Sequence, residues 1–349
     1  MKFSLNTITR ENVKGLKPYS SARDEYVSDG SKMVLLDANE NPFENGVNRY
    51  PDPQQRSLKA VLAGQKGVTV ENILLGNGSD EVLDLLFRAF CEPNVDNIIT
   101  LPPTYGMYKV LSGINAIENR EVLLTKEFQP DVVETLKTID ERSKILFICS
   151  PNNPTGNSFS LESITKLLTS FNGLVVIDEA YIDFSPNDSW VSRLSEFPNL
   201  VVTQTLSKAY GMAGIRLGIC IASKEIIAVL NKIKPPYNVN GLTQLKALER
   251  LLAVEQLSKE VSDIIEERFR LLSDLTHIQF IKVIYDSDAN FVLVKVDDAD
   301  KRYQQLLNKG IVIRNRSTQP LCENTLRFTV GTPEETEKLI QVLKDINDE

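Results

Sequence analysis

Lys144-Ile-Leu-Phe-Ile-Cys149 is a near-continuous apolar run, broken at once by Ser-Pro-Asn-Asn-Pro-Thr-Gly at 150–156. A run that does not alternate marks a strand buried on both faces, the situation of a parallel sheet covered by helices on either side. Shorter runs of the same kind recur at 73–75, 98–100, 174–177 and 200–202. Between them stand stretches of helical spacing, such as Val82, Leu85, Leu86, Ala89 and Phe90, or Leu161, Ile164, Leu168 and Phe171. Strands alternating with amphipathic helices predict an α/β large domain with a mostly parallel sheet. Met33–Leu36 reads as a further short strand, and prolines 51 and 53 pin an extended segment before a helix starting near Gln54.

Beyond Pro235-Pro236 the pattern changes. Leucines 242, 245, 248, 251 and 252, then Val261, Ile264, Ile265 and Phe269, mark long helical stretches. Strands follow near 279–285, 290–296, 311–314 and 325–330, with a helix over 299–309 stopped by Gly310. The last helix opens on Thr332-Pro333-Glu334-Glu335, a capping box with proline at the first helical position. This is a smaller α+β domain, and the domain change falls in the long helical region before it.

Chemistry collects where the large-domain strands end. Ile73-Leu74-Leu75 runs into Gly76-Asn77-Gly78-Ser79-Asp80, a strand, glycine turn and helix start that presents unpaired backbone N–H groups to an anion. Tyr105 follows the strand at 98–100, Asn153 the one at 144–149, and Asp178 ends the one at 174–177. Ligands of open α/β sheets bind at such strand ends. The segment Thr205–Cys220, T-L-S-K-A-Y-G-M-A-G-I-R-L-G-I-C, sets Lys208 beside Ser207 among small residues, with Arg216 eight residues on. A hydroxyl and a planar cationic fork suit a phosphate monoester. A lysine beside a bound phosphate can form a Schiff base with a phosphorylated aldehyde.

S-K-A-Y-G-M-A-G-I-R-L-G resembles the cofactor-lysine segment of the fold type I aminotransferases, and S-P-N-N-P-T-G is a signature of that superfamily. The ordered set, with L-R-F-T-V-G-T at 326–332, is similar to the histidinol-phosphate aminotransferases and spans nearly the whole chain. The resemblance implies pyridoxal 5′-phosphate as cofactor. Lys208 would carry it, Asp178 would hold its pyridine proton, Asn153 and Tyr181 would bond its phenolic oxygen, and Tyr105 would lie over its ring. Ser79, Asp80, Ser207 and Arg216 would cup its phosphate, and Tyr50 would reach the phosphate of a neighbouring subunit. Tyr19, Asn39, Asn153, Arg314 and Arg327 are the implied substrate residues. Two arginines on neighbouring strands suit a dianion better than one would.

The implied organisation is an arm at 1–29 packing with the small domain, a large cofactor-binding domain at 30–262 and a small domain at 263–349. The implied reaction interconverts histidinol phosphate and 2-oxoglutarate with imidazole acetol phosphate and glutamate, in histidine biosynthesis, on a homodimer with shared sites. Aromatic or other α-amino-acid aminotransferases share every cofactor residue. Threonine-phosphate decarboxylases have a similar motif order and also take a phosphorylated amine. A non-catalytic cofactor-sensing module would need a DNA-binding domain ahead of the fold, for which about 30 polar residues are too few.

Composition closes off other classes. The 349 residues are 42% hydrophobic and 25% charged, with a net charge of −8, which argues against general nucleic-acid binding. No segment approaches the roughly 18–20 apolar residues of a membrane span, and no leader is evident. Cysteines 91, 149, 220 and 322 are scattered, as buried thiols of a reducing cytoplasm would be. His277 is the only histidine and has no metal-ligand companion, so neither a metal site nor a histidine mechanism is expected.

Overall fold

The computed structural model describes residues 3–19 and 33–347. Seven strands form the larger sheet: β1 (Ile73–Asn77), β2 (Asn97–Thr100), β3 (Glu118–Glu121), β4 (Ser143–Cys149), β5 (Leu174–Asp178), β6 (Leu200–Thr205) and β7 (Leu217–Ala222). Their order is β1-β7-β6-β5-β4-β2-β3. All run parallel except β7, which is antiparallel to both β1 and β6. The mixed, mostly parallel sheet expected from the apolar runs is present.

Successive side chains of a strand point to opposite faces, and here each face has its own core. Leu75, Ile148, Ile177 and Val202 pack with Leu58 and Leu62 of the helix Arg56–Lys66, and with Ile164 and Leu167 of the helix Leu161–Ser170. Leu74, Phe147, Val176 and Cys220 face Val82, Leu86 and Phe90 of the helix Ser79–Phe90, and Ile226 and Leu230 of the helix Lys224–Asn231. Both faces are dry, which is why these strands do not alternate in sequence. All four cysteines are free and buried.

The second sheet is antiparallel, in the order β10-β11-β9-β8, with β8 at Ile281–Ile284, β9 at Phe291–Val296, β10 at Arg314–Asn315 and β11 at Thr325–Thr329. It has a third core with the helices Val254–Leu275, Ala299–Asn308 and Pro333–Asp345. The capping box at Thr332 and Glu335 is formed.

Several expectations need correction. Met33–Leu36 is not a strand, and Met33, Val34 and Leu36 are exposed. The strand expected at 311–314 shrinks to Arg314–Asn315, with Val312 on the surface. β3 was not foreseen, because Glu-Asn-Arg-Glu is polar throughout and only an edge strand tolerates that. The helix near Gln54 starts at Arg56.

Residues 3–16 of the arm pack on the large sheet's helices, not on the small domain. Arg10 N–H bonds the Ala89 carbonyl, the Arg10 guanidinium pairs with Glu92, and Lys232 Nζ donates to the Lys14 carbonyl at 2.8 Å. Ile8 completes the apolar contact in the core beneath. The boundary drawn at 29/30 lies outside the described residues. The one drawn at 262/263 falls inside the continuous helix Val254–Leu275, which packs on both sheets.

Candidate active site

The phosphate end is built where β1 passes into the helix Ser79–Phe90. Gly78 caps that helix at φ +81° with no side-chain cap, so the first-turn N–H groups are left to a ligand. Two glycines give the close approach. A Cβ on Gly78 would meet Arg216 Nη2 at 2.6 Å, and one on Gly218 would meet Ser79 N at 2.3 Å. Arg216 takes the left-handed conformation at φ 57°, and its Nη1 lies 3.5 Å from Ser207 Oγ. Thr205, not named from the sequence, sets Ser207: its hydroxyl accepts from Ser207 N at 3.1 Å and lies 3.0 Å from Ser207 Oγ. Its strand-end position, two residues before the Ser-Lys pair, was the available signal. Helix N-terminus, serine and arginine together fit a phosphate monoester.

Asp178 sits at the end of β5, 3% exposed. Burial pushes its carboxyl up to about 6, against the hydrogen bonds from Tyr108 Oη (2.8 Å) and Ala180 N (3.1 Å). A buried acid held so far from its ordinary value lacks a cation, and a protonated pyridine nitrogen is one. Tyr108 was not foreseen, although it stands three residues after Tyr105. Its ring stacks on Phe147, fixing the hydroxyl on Asp178. Tyr105 meets Tyr108 edge-on and donates to Asp80 Oδ1 at 3.1 Å.

Asn153 Nδ2 lies 3.4 Å from Tyr181 Oη, so the two would share one acceptor oxygen. Burial raises the Tyr181 phenol, which keeps it a donor. Lys208 Nζ lies over the Tyr181 ring at 5.7 Å. Desolvation in the cleft, then the charge of Arg327, lowers its ammonium from the ordinary lysine value. A lysine so placed loses its proton more readily and can act as nucleophile and base.

The second sheet supplies the fourth side. Arg327 on β11 donates to Asn153 Oδ1 at 2.5 Å and lies over the Phe291 ring. Arg314 is its direct cross-strand partner on β10. Ser79, Asp80, Tyr105, Asn153, Asp178, Tyr181, Ser207, Lys208, Arg216, Arg314 and Arg327 line one cleft of about 460 Å³, together with Arg316 and Gln319, which the sequence did not single out. Their signal was the two-residue spacing of arginines in Arg314-Asn315-Arg316.

Tyr19, Asn39 and Tyr50 do not line this cleft. Tyr19 is 73% exposed at the end of the described arm. Asn39 and Tyr50 line a separate cleft with Leu242 and Leu245, and Tyr50 stacks on Tyr237 at 4.4 Å. The substrate places implied for Tyr19 and Asn39 are not found within one chain.

The profile of the family "Aminotransferase class I and II" matches residues 27–343. The chain is 66% identical over 346 residues to the histidinol-phosphate aminotransferase of Flavobacterium johnsoniae, covering 99% of each. It is 62% identical over 347 residues to that of Christiangramia forsetii, again covering 99% of each. The crystal structure of the histidinol-phosphate aminotransferase from Clostridium acetobutylicum is similar with a TM-score of 0.80 at 26% identity, over 86% of this chain and 91% of that one. With a family-profile match over most of its length and relatives at 62–66% identity, the chain belongs to the class I and II aminotransferases, pyridoxal-phosphate enzymes of fold type I, and groups there with the histidinol-phosphate aminotransferases.

Proposed function

We propose that this chain transfers the amino group of histidinol phosphate to 2-oxoglutarate, giving imidazole acetol phosphate and glutamate, as a step of histidine biosynthesis. The observation that carries the reading is the pairing of two anion sites in one cleft: a phosphate cup at Ser79, Ser207 and Arg216, and a cationic wall at Arg314 and Arg327. The first holds the cofactor, and the second holds a substrate with an anionic tail.

When bound, pyridoxal phosphate supplies a conjugated cationic ring that takes up the electron pair left on the substrate carbon. Asp178 would hold a proton on the pyridine nitrogen. Asn153 Nδ2 and Tyr181 Oη would donate to the phenolic oxygen, and Tyr105 would lie over the ring. Lys208 Nζ would hold the resting cofactor and, once freed by the incoming amine, would take up the proton of the substrate carbon bearing nitrogen. The same amine would return that proton on the cofactor side, and water would release the first keto product before the keto acceptor enters, so ping-pong kinetics are expected.

The working form is a cytoplasmic homodimer with shared sites. Supporting it, Tyr50 stands outside its own chain's cleft, in a second cleft with Val47, Leu242 and Leu245, all exposed and apolar, and Val34, Leu36 and Phe43 of the same chain region are exposed as well. Large exposed apolar area of this kind marks an interaction face. Among the described residues no helix is long and apolar enough to cross a membrane, and the acidic net charge does not suit nucleic acid.

Following the cofactor absorbance of the holoenzyme while adding single amines tests the reading. Histidinol phosphate and glutamate should each discharge it, and phenylalanine should do so far more slowly. Preference for phenylalanine would move the enzyme to the aromatic aminotransferases. Release of carbon dioxide from threonine phosphate would make it a decarboxylase.

A further inference from the structure

Arg314 and Arg316 flank Asn315 in a strand that pairs with β11, and the ladder continues through Arg316 N–H to the Thr325 carbonyl at 2.9 Å. Residues two apart on a strand share a face, and directly opposed residues share it too. Arg314, Arg316 and Arg327 therefore open into the same cleft, where Lys208 adds another cationic group. No ion pair with a carboxylate is formed by any of the three among the described residues. Arg316 Nε, Arg327 Nε and Gln319 Oε1 are buried without a hydrogen-bond partner. Burial, then the charge of Arg314, lowers the Arg316 guanidinium from its ordinary value.

Three guanidiniums crowded without counter-charge repel one another, and unpaired buried donors add desolvation cost. Such a cluster persists where a ligand supplies the missing charge. A carboxylate brings one negative charge, which a single forked arginine already satisfies. A phosphate monoester brings nearly two and three acceptor oxygens at one point. We infer that Arg316 is a specificity-determining residue, a third arm that closes on the substrate's phosphate and favours a dianion over a carboxylate at that position. This rests on the proposed transamination of a phosphorylated amine.

The test compares wild type with Arg316→Gln and Arg316→Lys as holoenzymes, in single turnovers with histidinol phosphate and with glutamate. Loss of one charge-assisted contact should lower kcat/KM for histidinol phosphate by about 10–150-fold in Arg316→Gln. The loss for glutamate should be at least about tenfold smaller, and Arg316→Lys should fall between the two. Because the second ionisation of a phosphate monoester lies near pH 6, wild-type kcat/KM for histidinol phosphate should fall below that pH more steeply than in Arg316→Gln. Equal losses for both amines would overturn the inference and make Arg316 a packing residue. A separate arm does not need the phosphorylated amine: inorganic phosphate should inhibit the glutamate half-reaction of wild type and do so at least tenfold more weakly in Arg316→Gln. Wild type inert to histidinol phosphate but inhibited in this way would discard the substrate and keep the anion arm. Inhibition equal in both proteins would discard the arm.

Discussion

At the scale of single residues, Lys208 and Asp178 make the sharpest claims. Lys208→Ala should retain the cofactor through the cup and Asp178, yet lose nearly all turnover. Borohydride treatment of the wild type followed by peptide mapping should mark Lys208, and an adduct on another lysine would refute the assignment. Asp178 makes a claim about stability. Folding without cofactor raises this acid from 3.8 to about 6, so the empty site favours its protonated form. That contribution is complete below about pH 4 and is lost as pH rises through about 6, at a cost of roughly 3 kcal/mol. Apo Asp178→Asn should therefore be more stable than apo wild type above pH 6, and the gap should close towards pH 4. It should also release cofactor faster. Parallel melting temperatures across pH 4 to 7 for the two apo proteins would contradict this. The place of both residues in one cleft was legible because strand ends expose few side chains and each chemical type there is distinctive. Tyr108 and Thr205 escaped because they act on other residues, and a tyrosine or threonine near a strand end is otherwise ordinary packing.

At the scale of elements, the approach of β7 to the helix Ser79–Phe90 decides whether the cup exists. Gly78→Ala would force a Cβ against Arg216 Nη2 at 2.6 Å and strain a backbone at φ +81°. Because the obstacle is the far end of a flexible side chain, Arg216 can move and the fold survives. Cofactor dissociation should quicken by about tenfold or more, with a modest fall in melting temperature of a few degrees. Dialysis against cofactor-free buffer measures it. Gly218→Ala meets backbone at Ser79 instead and should damage folding itself. The buried strands were read correctly from their lack of alternation. β3 was missed, and 33–36 was misread, for opposite reasons. A polar edge strand carries no apolar signal, and an apolar stretch that lies on the surface of one chain carries a false one.

At the scale of the whole molecule, that surface stretch becomes an argument for two subunits. If Tyr50 serves the neighbouring site, Tyr50→Phe and Lys208→Ala should each lower activity, and mixing them should regenerate sites holding both native residues and recover up to about a quarter of wild-type activity. If heterodimers form and no activity returns, the sites are not shared. Asn-Arg-Tyr-Pro by itself says only that an aromatic stands in a turn, and a place for Tyr50 in a neighbouring subunit's site came from the resemblance alone.

The antiparallel strand in the larger sheet sets a timetable. β1, which feeds the phosphate-binding helix, has β7 as its sheet neighbour, and β7 ends only at Ala222. As the chain leaves the ribosome, residues 73–90 must wait for that late strand before their edge is covered, and Arg216 arrives with it. Closing so long a loop is slow and comes after local helices have formed. The phosphate cup is therefore incomplete until β7 and Arg216 are in place. Once the cup is complete, bound cofactor stabilises the folded state by mass action.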